Sequence, residues 1–289
     1  MTLASVGRRL KQYREAAGLA ADKVAREVGV SRALLYRYEA GDIVKIAVLE
    51  KLARIYGTST SALLGLGNEY ITSGLTFFDR VQAIEETADH MTVVFGPIAY
   101  VLMTDSYDAD LERALVESTE PGEALNPAEV QLLMRTLKRR RAAFRYRKPS
   151  VVNIVPVTQI TAYLATGLAM RTDLSYAERS SRRRAAAKQM EHLASLITAP
   201  PMGVQIGITR LPLPTAGFQI IRSANRKLLV LSPFRVLQQP NLRYGVAMIT
   251  EDEEALRVHE TLAARLWESA LTGSKAIDEV QKQLKAHRG

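Results

Sequence analysis

The chain contains no cysteine among its 289 residues, which excludes a disulfide framework, a thiolate metal site and a cysteine nucleophile. Histidine is scarce: His90, His192, His259 and His287 are scattered, which argues against a transition-metal centre. There is no apolar run near the roughly 18–20 residues that cross a bilayer. The opening MTLASVGRRLKQYRE lacks the apolar core of a signal peptide, so a cytoplasmic protein is expected. Phosphate-cradling Gly-x-x-x-x-Gly-Lys and dinucleotide-binding Gly-x-Gly-x-x-Gly sequences are also missing, Gly65-Leu66-Gly67 being a lone fragment. His259-Glu260 begins like a zinc-protease motif, but Ala263 stands where the second histidine belongs. No cofactor or catalytic set is implied. What is present is a normal apolar share of 47% and a net charge of +9. Residues 1–66 hold 11 Lys/Arg against 6 Asp/Glu, or +5, and the remainder holds 28 against 24, or +4. The smaller piece therefore carries over half the excess, as a phosphate-binding module should.

Residues 23–41, KVAREVGVSRALLYRYEAG, read as a helix, a glycine turn and a second helix opened by a serine cap. Val24, Ala25, Val28, Val30, Leu34, Leu35 and Tyr38 give an apolar face at helical spacing. Arg32, Ala33, Tyr36 and Arg37 fall on the outward face. Two helices joined at Gly29 form the minimal unit that lays a helix end in the DNA major groove, although such pairs also occur in domains that never meet DNA. The surroundings favour DNA. Upstream, Val6, Leu10 and Tyr13 form a stripe on a helix carrying Arg8, Arg9, Lys11 and Arg14. Downstream, Val48, Leu49, Leu52, Ala53 and Tyr56 mark another helix, stopped by Gly57, and Leu63 and Leu64 sit in a last short one. Five short helices within residues 1–66 suit a small all-α domain with one core.

Through Ala25, Gly29, Val30, Ser31, Leu35, Glu39 and Gly41, then Leu49, Leu52, Ala53, Gly57 and Leu63, residues 4–65 resemble the XRE/Cro type of helix-turn-helix domain. The resemblance implies double-stranded DNA as partner. That family ordinarily starts its first motif helix on Ser-Gln or Thr-Gln, a polar clamp on the DNA backbone; this chain has Ala20 and Ala21 there.

Position along the recognition helix assigns the candidate contacts. Ser31 caps its amino end, which also attracts phosphate. Arg32 is the candidate for bidentate reading of guanine O6 and N7, with Arg37 one turn further on; backbone contact is the alternative for both. Ala33 is placed for a thymine methyl, and Tyr36 for a base edge or a phosphate oxygen. Lys45, in the loop before the next helix, is a candidate phosphate contact, and Lys23 joins the set. Leu34, Leu35 and Tyr38 belong to the core, and Glu39 is expected to hold the turn that follows.

Beyond these helices, Gly67, Asn68, Ser73 and Gly74 read as a linker over 67–75, ahead of a domain at 76–289. Helices are expected at 77–90, from Asp108, over 127–143 with Asn126 as cap and Pro127 first, at 158–170 and at 176–197. Strands are expected at 91–95 and 151–157. VQIGITR, GFQIIRS, KLLVLSPFRV and YGVAMIT then read as a four-stranded meander within 204–250, followed by helices at 251–271 and 274–287. This order implies an α+β domain with a mostly antiparallel sheet. The run from SPFRV through VAMIT to Trp267 is similar to long regions behind XRE domains in some bacterial regulators, over about residues 75–272. It implies an effector or oligomerisation domain. Some such regions have been compared with phospholipase-D-like domains, but none of the four histidines has the required lysine two residues on.

Two basic runs stand in this part: Arg135, Lys138, Arg139, Arg140, Arg141, Arg145, Arg147 and Lys148, then Arg179, Arg182, Arg183, Arg184 and Lys188. Each is a solvated helix face, a second backbone contact or a pocket for an anionic effector, with Arg139, Arg140, Arg183 and Arg184 as candidate contacts. Phe144 and Tyr146 interleave with the first run but are too few for a stacking platform. Asp105, Asp108 and Asp110 read as helix capping, and Glu85-Glu86 with Asp89 as surface. Ile277, Val280 and Leu284 form a stripe that is either a dimer seam or packing on the chain's own sheet. Together these features predict a dimeric DNA-binding regulator, a repressor in the first instance, held on the bacterial nucleoid when bound and sensing a small molecule or partner. The alternative is an antitoxin-like or anti-regulator module that grips a protein and binds DNA for autoregulation.

Overall fold

The first apolar stripes of the chain fold as five helices: α1 (Leu3–Ala16), α2 (Ala21–Val28), α3 (Arg32–Ala40), α4 (Ile46–Ile55) and α5 (Thr60–Leu64). The computed structural model describes residues 3–65, 68–94, 98–117, 125–168, 173–211, 217–237 and 240–287. Leu10, Val24, Leu35, Leu52 and Leu63 are enclosed in one core shared by all five helices. α1 lies close against the end of α3, and Gly7 permits it. A Cβ at Gly7 would stand 2.5 to 2.7 Å from Gly41 N, Tyr38 O and Glu39 O. A buried ion pair ties the same crossing: Arg14 Nε donates to Glu39 Oε1 at 2.6 Å and Nη2 to Oε2 at 3.0 Å. Glu39 thus anchors α1, a longer-range task than holding its own turn.

The second part is an α+β domain on a seven-stranded sheet. Its strands are β1 (Glu69–Ile71), β2 (His90–Val94), β3 (Ser150–Pro156), β4 (Val204–Thr209), β5 (Gly217–Ser223), β6 (Arg226–Ser232) and β7 (Ala247–Thr250), in the order β1-β7-β6-β5-β2-β3-β4. Pairing is antiparallel from β1 to β2 and parallel across β2-β3-β4. The expected four-stranded meander is therefore three strands, β5 to β7. β4 follows the long helix α10 (Tyr176–Thr198), and a helical crossover of this length delivers a strand parallel to β3 at the far edge. The expected linker also carries structure: residues 69–71 pair with β7. Leu66 at the end of the first expected domain, Gly67 of that linker, Phe95 of the first expected strand and residues 169–170 of an expected helix lie outside the described residues.

The sheet buries both faces, unequally. Met91, Val93, Val151, Val155, Ile206, Ile221 and Val230 face a large core roofed by α6 (Gly74–Glu85), α7 (Tyr107–Leu115), α8 (Pro127–Arg147), α9 (Val157–Thr166), α10 and α12 (Gly273–Ala286). Val94, Ile154, Phe218, Ile220 and Leu229 face α11 (Glu253–Glu268) through Leu256, Ala263 and Leu266. On α12, Val280 and Leu284 are buried in the large core, where the helix lies against α9 and α10. The stripe of Ile277, Val280 and Leu284 therefore packs on its own domain and is not a dimer seam.

Candidate nucleic-acid interface

The turn between α2 and α3 rests on Gly29, whose φ of 83° lies in the left-handed region that glycine adopts without penalty. Its N–H reaches the carbonyls of Ala25 and Arg26, and Val30 N donates back to Ala25 O at 2.9 Å. Ser31 then caps α3, its Oγ accepting from Leu34 N at 3.1 Å. The amino end of α2 has no side-chain cap at Ala20, as the loss of the usual polar pair predicts. With Leu35 and Tyr38 buried, α3 leaves Arg32, Ala33, Tyr36, Arg37 and Ala40 in solvent on one side of a short, rigidly seated helix.

The exposed arginines are held but not consumed. Arg32 lies 3.3 Å from Asp22, donates to the Tyr36 hydroxyl at 3.2 Å and sits 5.4 Å from the centre of its ring. Tyr36 first, then Asp22, raise the Arg32 pKa further. Arg37 Nε donates to Asp42 at 2.6 Å. Exposed pairs of this kind are worth little in water and exchange readily for a phosphate or a guanine edge. Lys23 and Lys45 are exposed on α2 and at the start of α4. Flanking Lys45, Ile43 and Ile46 are 77% and 72% exposed, large apolar side chains beside the basic loop. Local spacing does not reveal them: Ile43 precedes α4, and Ile46 keeps i, i+3, i+7 spacing with the buried Leu49 and Ala53, which reads as core.

Residues 5–64 match the family described as "Helix-turn-helix domain". This unit is a helix-turn-helix domain. It marks the chain as a DNA-binding regulator by type, and no curated protein is found to match the chain. Among the described residues, no helix is long and apolar enough to cross a membrane.

The helix-turn-helix domain is seated on the second domain through charge. Glu69 on β1 accepts from the Tyr13 hydroxyl of α1 at 2.5 Å and from Arg80 Nε of α6 at 3.0 Å on both oxygens. Arg9 is buried beside them, donating to Leu63 O at 3.0 Å and Leu64 O at 2.8 Å, which satisfies the carbonyl end of α5. Burial first, then Arg80 and Arg226, lower the Arg9 pKa to about 10. In the sequence, Tyr13 and Arg9 look like core stripe and solvated face. Their partners lie more than fifty positions away, beyond the reach of local spacing.

The basic runs of the second domain largely serve its fold. Arg140 is buried, forking onto Glu85 with two bonds of 2.8 Å, so Glu85 is a core counter-ion where a surface position was expected. Arg141 binds Asp108 and Asp105, and Arg145 also binds Asp105, lowering its carboxyl pKa mainly through that hydrogen bond. The aspartates are thus ion-pair partners of α8, and α7 has no side-chain cap at Ser106. Arg183 donates to Ala165 O at 2.8 Å and Arg184 to Ser180 Oγ at 2.7 Å; both are exposed on α10, as is Arg139 on α8. Of the four candidate anion contacts, Arg140 alone lines the aromatic-walled cavity between the sheet and α6, and its charge is already matched.

Proposed function

We propose that the chain is a transcriptional repressor that binds DNA as a homodimer, reads base edges with α3 and senses a small effector through its second domain. The observation that carries this reading is the exposed α3 face, where Arg32, Tyr36 and Arg37 stand together in labile pairs on a helix capped by Ser31. In this reading Arg32 takes a guanine, Ala33 a thymine methyl, and Ser31, Lys23 and Lys45 the backbone. Arg139, Arg183 and Arg184 remain surface charges without an assigned ligand. No catalytic role is assigned to the second domain, and the location is cytoplasmic.

Selection of DNA from a random pool by the full-length protein tests it. The expected product is an inverted repeat whose half-sites are centred about 34–36 Å apart, bound by a species of twice the chain mass in light scattering. Enrichment of no sequence would remove the reading of α3. A single half-site bound by one chain would remove the dimer and leave the DNA contacts.

A further inference from the structure

A cavity of about 190 Å³ lies on the helix-roofed face of the sheet, bounded by β2, β5, β6, α6 and α8. Phe77, Phe78, Tyr100 and Phe234 line it, an aromatic enclosure in a chain with few rings. Among the polar residues of the wall, one on the central strand β5 stands apart. β5 places Gln219 between Val93 and Val230, at a core-facing position, and it is only 8% exposed. Its Oε1 has no hydrogen-bond partner among the described residues. A buried acceptor left unpaired is destabilising, so its retention at a central strand position points to a donor supplied from outside the chain.

Charge and volume narrow what that donor belongs to. Arg140 in the wall is matched by Glu85, and Arg235, the other cation of the lining, is exposed to solvent, so the buried part of the wall offers an anion no unmatched positive charge. A dry cavity of about 150 Å³ takes one benzene ring, so this one holds a single ring with a small substituent. We propose that the cavity binds an uncharged, single-ring aromatic compound whose O–H or N–H donates to Gln219 Oε1. The assignment deepens the effector-sensing part of the functional reading and rests on it only for its regulatory consequence. Phe77, Phe78, Val81 and Glu85 of α6 line the cavity, while Arg80 of the same helix holds Glu69, which accepts from Tyr13 of the helix-turn-helix domain.

Calorimetric titration of the full-length protein with phenol tests the site, with fluorobenzene and benzoate as comparisons. One saturable phenol site per chain is expected. Gln219→Leu weakens phenol about three- to tenfold, the loss of one neutral hydrogen bond, and leaves fluorobenzene unchanged. Benzoate does not bind. Val230→Phe fills the cavity and abolishes phenol binding while the protein still unfolds cooperatively; where it does not, Val93→Leu narrows the same space and weakens phenol. No saturable phenol binding, tighter benzoate than phenol, or equal phenol affinity in the wild type, Gln219→Leu and a folded cavity-filling variant overturns the site. Phenol bound here with affinity for the selected DNA unchanged upholds the site and overturns the effector role. Failure to select any DNA overturns the repressor reading and leaves the phenol titration standing.

Discussion

Replacing Glu69 should uncouple the helix-turn-helix domain from the sheet. Its carboxylate is 7% exposed, it accepts from Tyr13 and Arg80, and the Arg80 side chain is itself 10% exposed. Glu69→Ala leaves that guanidinium buried without its counter-charge, which costs about 3–5 kcal/mol. Tyr13→Phe spares the ion pair and removes one hydrogen bond to a charged acceptor, costing about 1.5–3 kcal/mol. The double variant costs less than the sum, because the hydroxyl loses its acceptor in either background. Urea unfolding followed by far-ultraviolet dichroism and by the fluorescence of Trp267, the single tryptophan, separates the domains. Dichroism reports the helices of both, whereas Trp267 lies on α11 of the second domain. The wild type is expected to give coincident transitions. In Glu69→Ala, dichroism falls ahead of fluorescence as the five helices lose their seat on β1 and α6. A loss below about 1 kcal/mol, the value of an exposed pair, with transitions still coincident, would refute the assigned role of Glu69.

Gly7→Ala puts a methyl against the backbone of α3 and is expected to cost at least 1–3 kcal/mol; an unchanged thermal midpoint would mean that α1 moves aside freely. Ser31→Ala removes the α3 cap and should cost about 1 kcal/mol, read from the same midpoint, with a parallel loss of DNA affinity if the cap seats the reading helix. His90 gives a pH dependence. Burial, then Arg222, hold its imidazole below the ordinary value of 6.5. The unfolded chain therefore takes up the proton first as pH falls, so stability declines from that value downward and levels once the folded imidazole is protonated. His90→Gln should flatten urea midpoints across that window; an identical slope in both proteins would contradict the assignment.

Helices were legible where their caps and periods are local. The Asn126–Glu129 capping box opens α8, and Gly29 and Ser31 frame the turn before α3, all within a few positions of what they stabilise. The outward face of α3 followed from the same spacing, since fixing Leu35 and Tyr38 inward leaves Arg32 and Tyr36 out. The run around 138–141 shows where composition misleads. Helical rotation puts Arg139 in solvent and buries Arg140 and Arg141, so one basic block is two different things. Strand order was less accessible, because β4 has a good strand sequence wherever it pairs, and its neighbour is set by the crossover through α10. β1 has three residues and no apolar run, and Glu69 within it becomes structural only through Tyr13 and Arg80. Gln219 was hidden for the opposite reason: GFQIIRS reads as a sound strand whether or not its glutamine is paired.

The proposed regulator role depends above all on contact between α3 and DNA through Arg32. Fluorescence anisotropy of the full-length wild type and Arg32→Ala on the selected DNA, across a salt series, tests it most directly. The wild type should show log affinity falling linearly with log salt, by about 0.9 for each phosphate neutralised. Arg32→Ala should weaken the selected site by about 1–3 kcal/mol, the value of one bidentate base contact, and narrow its advantage over unrelated DNA. A flat salt response, or an Arg32→Ala protein with wild-type affinity and wild-type discrimination, would contradict the account.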